Sequence, residues 1–146
     1  MYQGVLDLHS YWAYAVLVLL LIGIINAFSG LSSKRVFTPK DRQISMLGLI
    51  FSHVQFVLGL VLLFVSPLFE AAKSAGMGEL MKNAELRKMV VEHPTVNLIA
   101  IVFITIGWSR HKRIEESGKK FKSIGVFYLI GLVLLLSRIP WNQWFD

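Results

Sequence analysis

Cysteine is absent from the 146 residues. Its absence excludes disulfides, thiolate zinc sites, iron–sulfur clusters and covalent c-type haem attachment. Charge is scarce as well, at 16% of the chain, where soluble proteins carry roughly 25%. There is no phosphate loop, no dinucleotide fingerprint and no Ser-His-Asp arrangement, so hydrolytic and nucleotide-dependent chemistry have no carrier. What is present is apolar, with hydrophobic residues at 55% and a mean hydropathy of +0.60. That much apolar surface excludes disorder, and the length accommodates one ordinary domain, residues 1–146.

The apolar residues fall into four runs, about 8–30, 44–65, 89–108 and 124–139. A helix needs about 20 mainly apolar residues to cross the hydrocarbon core of a bilayer. The first three runs meet that length, and the fourth does once Phe121 or Trp141 is counted. The first run has Asp7 before it, lacks a basic leader and exceeds the apolar stretch of a signal peptide, so it reads as a membrane span. The shorter signals read as turns. Thr38-Pro39 is a helix start with Thr38 as N-cap, Ser66-Pro67 breaks the second helix, Ala75–Gly78 is a flexible turn, and Glu79–Lys88 leads into the third helix. Ser117-Gly118 is expected to break the third loop.

The cations sort by loop. Lys34, Arg35, Lys40 and Arg42 follow the first run, and Arg110, Lys112, Arg113, Lys119, Lys120 and Lys122 follow the third. The segment after the second run balances Glu70, Glu79 and Glu85 against Lys73, Lys82, Arg87 and Lys88. The positive-inside rule then puts the first and third loops in the cytoplasm and both termini outside. Tyr2, Tyr11, Trp12 and Tyr14, with Trp141 and Trp144, would form the outer aromatic belt. The basic loops require no nucleic acid, because cations beside a membrane span set orientation and meet anionic lipid. The expected architecture is an all-α integral membrane four-helix bundle, up-down-up-down, in the cytoplasmic (inner) membrane. A homodimer is compatible with it.

Helical spacing places His9, Ala13, Val16, Leu20, Gly23, Ala27 and Gly30 on one face of the first helix. The second carries Ser45, Gly48, Ser52, Gln55 and Gly59, and the third His93, Asn97, Ala100, Ile104, Gly107 and His111. Small and weakly polar stripes mark where helices touch in lipid. Each stripe reads first as packing.

Of the four histidines, His111 sits among Arg110, Lys112 and Arg113 and is expected to be a solvated loop residue. His9, His53 and His93 lie at or within the spans, where ionisable groups face the bundle interior, a partner or a water path. One such imidazole is adequately explained by a hydrogen bond to a carbonyl or to Gln55, Asn97 or Glu92. Three favour a cofactor, and imidazole ligates haem iron, copper or zinc. Haem needs only one or two axial imidazoles in an apolar, helix-lined slot. The first and third helices would stand diagonally and start on the same side, so His9 with His93 is the preferred pair. His53, on the oppositely directed helix, is harder to pair with His93. Arg138, near the outer end of the fourth helix, would meet a haem propionate or snorkel to the interface.

Leu8-His9-Ser10, His53-Val54-Gln55 followed by Gly59, and Glu92-His93-Pro94 resemble, in that order, the motifs of small bacterial four-helix membrane proteins of the cytochrome-b-like kind. The segment from Gln55 to Gly59 is also similar to part of the haem A synthase fold, without its full set of histidines. The resemblance implies non-covalent haem b and electron transfer, as a cytochrome or a subunit of a respiratory redox complex with redox partner proteins. Two other readings stand beside it. One is a membrane protein binding copper or zinc through His9, His53 and His93, and the other a structural or assembly subunit without cofactor.

Overall fold

A computed structural model describes residues 1–141. Over these residues the chain forms α1 (Tyr2–Ser32), α2 (Pro39–Val65), α3 (Pro67–Lys82), α4 (Ala84–Arg87), a π-helical turn (Lys88–Glu92), α5 (His93–Arg113) and α6 (Ser117–Ser137). Four helical stretches are long and apolar enough to cross a membrane: Tyr2–Ser32, Pro39–Val65, Ala84–Arg113 and Ser117–Ser137. Their outward faces are apolar, with Val18 and Ile25 on α1, Val57 on α2, Val102 on α5 and Val133 on α6 all exposed. An apolar surface of that extent is untenable in water and is what lipid requires. The fold is therefore that of a multi-pass membrane protein.

Helices α1 and α2 pack together, as do α1 and α6, α5 and α6, and α2 and α5. This ring places α1 and α5 at opposite corners. The helices meet on the faces that the spacing picked out. On α1 the buried residues are Val16, Leu20, Gly23, Ile24, Ala27 and Gly30. On α2 they are Asp41, Ser45, Gly48 and Ser52, and on α5 Ala100, Ile101, Ile104, Gly107, Trp108 and His111. Glycine is required at two crossings of α5 with α6. A Cβ on Gly107 would lie 2.6 Å from Phe127 Cβ and 3.0 Å from the Ser123 carbonyl oxygen. One on Gly131 would lie 2.5 Å from Ile104 Cγ1 and 3.2 Å from the Ala100 carbonyl oxygen. The core fills the half of the bundle nearest the first and third loops, with Leu20, Ile104, Phe121, Ile124 and Tyr128 at its centre.

That same end carries a dense polar network. Thr38 caps α2, accepting from the Asp41 backbone N–H, and the Asp41 carboxylate accepts in return from the Thr38 N–H at 2.8 Å. Asp41 also accepts from Arg35 Nη1 through both oxygens at 2.8 Å, and from Asn26 Nδ2 at 2.9 Å. Buried Tyr128 donates to the Ser45 carbonyl at 2.7 Å, and Ser123 to that of Gly107 at 3.0 Å.

Several expectations from sequence are corrected. The third loop shrinks to residues 114–116, because α5 runs on to Arg113 and α6 begins at Ser117. Ser117 therefore starts a helix, and its hydroxyl accepts from the Phe37 N–H at 2.9 Å. His111 is 1% exposed. One turn beyond Gly107 on a continuing helix, it stays on the buried face, and its Nδ1 meets the Trp108 carbonyl. The Ala75–Gly78 turn is a kink within α3, where Gly76 adopts φ 83°. Trp12 turns inward, stacked on Phe51 at 4.5 Å with its indole N–H donating to the Phe51 carbonyl. Trp144 lies outside the described residues.

Candidate functional site

At the opposite end the core stops at Val16, Ser52, Ala100 and Leu132, and the helices separate around a cavity of about 610 Å³. Ligand pockets run from roughly 300 to 1,000 Å³. Its walls come from α1, α2 and α5 and from the end of α6, and Leu68, Met89 and Val90 of the segment joining α2 to α5 also line it. Most of the lining is apolar. The polar lining side chains include His9, Gln55, His93 and Asn97.

His9 and His93 face one another across the diagonal, with ring centres 6.3 Å apart and planes at 86°. Two imidazoles on opposite sides of one metal ion, each with a bond of about 2 Å, have ring centres roughly 6 Å apart. The separation would admit a metal ion between the two rings.

The surroundings of His93 fix its tautomer. Its Nδ1 is 2.8 Å from the Arg138 carbonyl, which can only accept, so Nδ1 carries the proton and Nε2 keeps the lone pair. Asn97 Nδ2 lies 3.2 Å from that Nε2. A histidine whose second nitrogen donates to a carbonyl is the usual state of a metal ligand. The Arg138 carbonyl is free to accept because α6 ends at Ser137, leaving Arg138 as C-cap with φ −125° and ψ 13°.

His93 also stands where the helix changes register. Its N–H bonds to the Lys88 carbonyl, five residues back, closing the π turn. Pro94 accounts for this, since its ring lacks an N–H and clashes with the carbonyl four residues earlier. Such turns recur at functional sites.

His9 is held differently. Gln55 Nε2 donates to the His9 backbone carbonyl at 2.9 Å, tying α1 to α2 at this level. The imidazole lies over Gly59, where a Cβ would stand 3.2 Å from His9 Cε1. Three buried side-chain atoms have no hydrogen-bond partner among the described residues: His9 Nδ1, Gln55 Oε1 and Asn97 Oδ1. All three belong to residues lining this cavity.

The other site candidates lie elsewhere. His53 is exposed on the outer side of the bundle, its Nδ1 2.7 Å from the Leu49 carbonyl and its Nε2 3.2 Å from Thr105 Oγ1. Among the described residues no group of three or more His, Cys, Asp or Glu side chains converges as a metal site. Arg138 turns its guanidinium to Glu92, with Nε 3.4 Å from Oε1, while Arg87 Nε takes the other carboxylate oxygen at 2.7 Å. Arg138 thus reaches the site through its carbonyl. Gln55 and Asn97 were legible as possible partners of the span histidines, and the structure sets Asn97 on His93 Nε2 and Gln55 on the His9 backbone carbonyl.

No protein-family model, no curated protein and no solved structure matches the chain.

Proposed function

We propose that this chain binds one non-covalent haem b between α1 and α5, with His9 and His93 as axial ligands, and takes part in electron transfer. The observation that carries this reading is the facing histidine pair in a cavity where three buried polar atoms, His9 Nδ1, Gln55 Oε1 and Asn97 Oδ1, have no hydrogen-bond partner among the described residues. The ordered resemblance of Leu8-His9-Ser10, His53-Val54-Gln55 followed by Gly59, and Glu92-His93-Pro94 to cytochrome-b-like proteins points the same way, although His53 itself lies outside the cavity. When bound, the haem supplies one-electron exchange at its iron.

The chain's own residues make that possible. The Arg138 carbonyl keeps the proton on His93 Nδ1 and leaves Nε2, which here accepts from the Asn97 amide, as the nitrogen that would hold the metal. Gly59 leaves room for the His9 ring, and Gln55 holds its backbone. Glu92, gripped by Arg87 and Arg138, ties the connecting segment to the end of α6 beside His93. Leu68, Met89 and Leu135 contribute an apolar lining that limits the access of water. The alternative copper or zinc reading required His9, His53 and His93 together, and His53 stands apart from the cavity.

In the same reading the spans run up-down-up-down in the cytoplasmic membrane. The basic segments around Lys34–Arg42 and Arg110–Lys122 face the cytoplasm, and both termini and the histidine cavity face outward. Redox partner proteins would approach at the cavity end.

The test is spectroscopic. Protein purified from haem-sufficient cells should show a Soret band that shifts on reduction, with a low-spin bis-imidazole spectrum. His93→Ala and His9→Ala should each abolish or convert that spectrum, while His53→Ala leaves it unchanged. Preparations that fold, yet contain no haem and take up none when haem is added, would overturn the reading. Bound copper or zinc without a Soret band would do the same.

A further inference from the structure

We infer that the opposite end of the bundle carries a phosphate-binding pocket, and that the phosphate it takes is the headgroup of an anionic phospholipid. A second cavity, of about 430 Å³, opens where the α2 N-terminus, the α5 C-terminus and the α6 N-terminus meet. Arg42, Lys112 and Lys120 line it together with Phe37, Thr38 and buried His111, and no carboxylate does.

Among the described residues no carboxylate pairs with Arg42, Lys112 or Lys120. Asp41, next to Arg42, has its carboxylate occupied by Arg35, Asn26 and Thr38. Glu116 pairs with Lys119 at 3.6 Å. Two of the cations are instead positioned by uncharged partners. Lys120 Nζ donates to the His111 carbonyl at 3.0 Å and lies 5.5 Å from the centre of the Phe37 ring. The Arg42 guanidinium lies 5.3 Å from the Trp108 ring centre. Carbonyl and ring contacts fix the position of a cation while leaving its charge uncompensated.

The location selects the ligand. The pocket lies at the ends of spanning helices, the level of lipid headgroups. There, basic recesses between helix ends bind anionic headgroups, each Lys or Arg adding about 1 kcal/mol. Three cations lining one recess, with no carboxylate among its lining residues, match a phosphate group with its negative charges.

The test compares the full chain in nanodiscs of phosphatidylcholine alone with nanodiscs containing added phosphatidylglycerol. Retained lipid is read by native mass spectrometry, and inorganic phosphate is titrated in a parallel arm. The expected result is retention of phosphatidylglycerol over phosphatidylcholine, reduced at least about tenfold in the triple variant Arg42→Gln, Lys112→Gln, Lys120→Gln. A control triple variant, Lys34→Gln, Arg113→Gln, Lys122→Gln, removes the same charge outside the pocket and should lose markedly less phosphatidylglycerol than the pocket variant. If the pocket triple fails to fold, Lys112→Gln against Lys122→Gln gives the same comparison, since both side chains are exposed. Saturable binding of inorganic phosphate, lost in the pocket variant and without preference for phosphatidylglycerol, keeps the phosphate site but overturns the lipid as its source. Equal losses in pocket and control variants, or no binding in either arm, overturn the proposal.

Discussion

The two ends of the bundle are made of similar residues and treat their buried polar atoms in opposite ways. At the end near the first loop, Asp41 is 3% exposed, and its oxygens are met by Arg35, Asn26 and Thr38. Tyr128 and Ser123 donate to carbonyls of neighbouring helices. Glycine lets α5 and α6 close to contact. At the other end the helices part around a cavity, and His9 Nδ1, Gln55 Oε1 and Asn97 Oδ1 are buried without a partner among the described residues. A buried, unpartnered polar atom costs about 1–3 kcal/mol. The contrast separates buried polar groups that close the fold at the packed end from buried polar groups at the cavity that the fold leaves unpaired among the described residues.

Removing a polar group at each end sharpens that contrast. The largest effect is expected from Asp41→Ala, which strips Arg35, Asn26 and Thr38 of their common acceptor. Breaking a buried pair costs roughly 3–5 kcal/mol, and Arg35, 38% exposed, keeps part of its hydration. We expect a loss of about 3 kcal/mol in reversible unfolding in mixed micelles. A loss under about 1 kcal/mol would remove the network from any structural role.

Tyr128→Phe deletes one interhelical hydrogen bond, to the Ser45 carbonyl, and leaves the ring in place. The same unfolding measurement should register about 1 kcal/mol. The smallest effect is expected from Asn97→Leu at the cavity. It removes the unpartnered Oδ1 along with the contact to His93, so the ligand-free protein should change by less than about 0.5 kcal/mol or gain stability. A loss as large as that of Tyr128→Phe would break the comparison, because Asn97 would then be serving the fold.

The helix faces were legible because helical periodicity is local. Val16, Leu20, Gly23, Ala27 and Gly30 recur at intervals of three and four, and α1 buries them. Helix ends were misread where hydropathy and helicity part company. Arg110–Arg113 and Ser117–Lys122 are polar turns of otherwise apolar helices, so a reading by apolar runs takes them for loop. His111 was placed in solvent for the same reason. The π turn before His93 had a signal in Pro94, since proline inside a helical pattern disturbs the ladder, but its consequence is a shift in register that spacing rules do not express.

The sequence alone determined the membrane class and the face that the first three spanning helices turn inward. Backbone hydrogen bonds in lipid must be satisfied within the helix, and the 3.6-residue repeat then assigns each side chain to a face. Tertiary structure decided which histidines share a space. Helix direction favoured His9 with His93 over His53 in a linear reading, and the packing sets His9 and His93 in one cavity while His53 faces outward. Which histidines meet depends on how each helix is rotated and staggered against its neighbours. That arrangement is set by contacts distant in sequence, such as Gly107 against Phe127, Gly131 against Ile104 and the Arg138 carbonyl against His93.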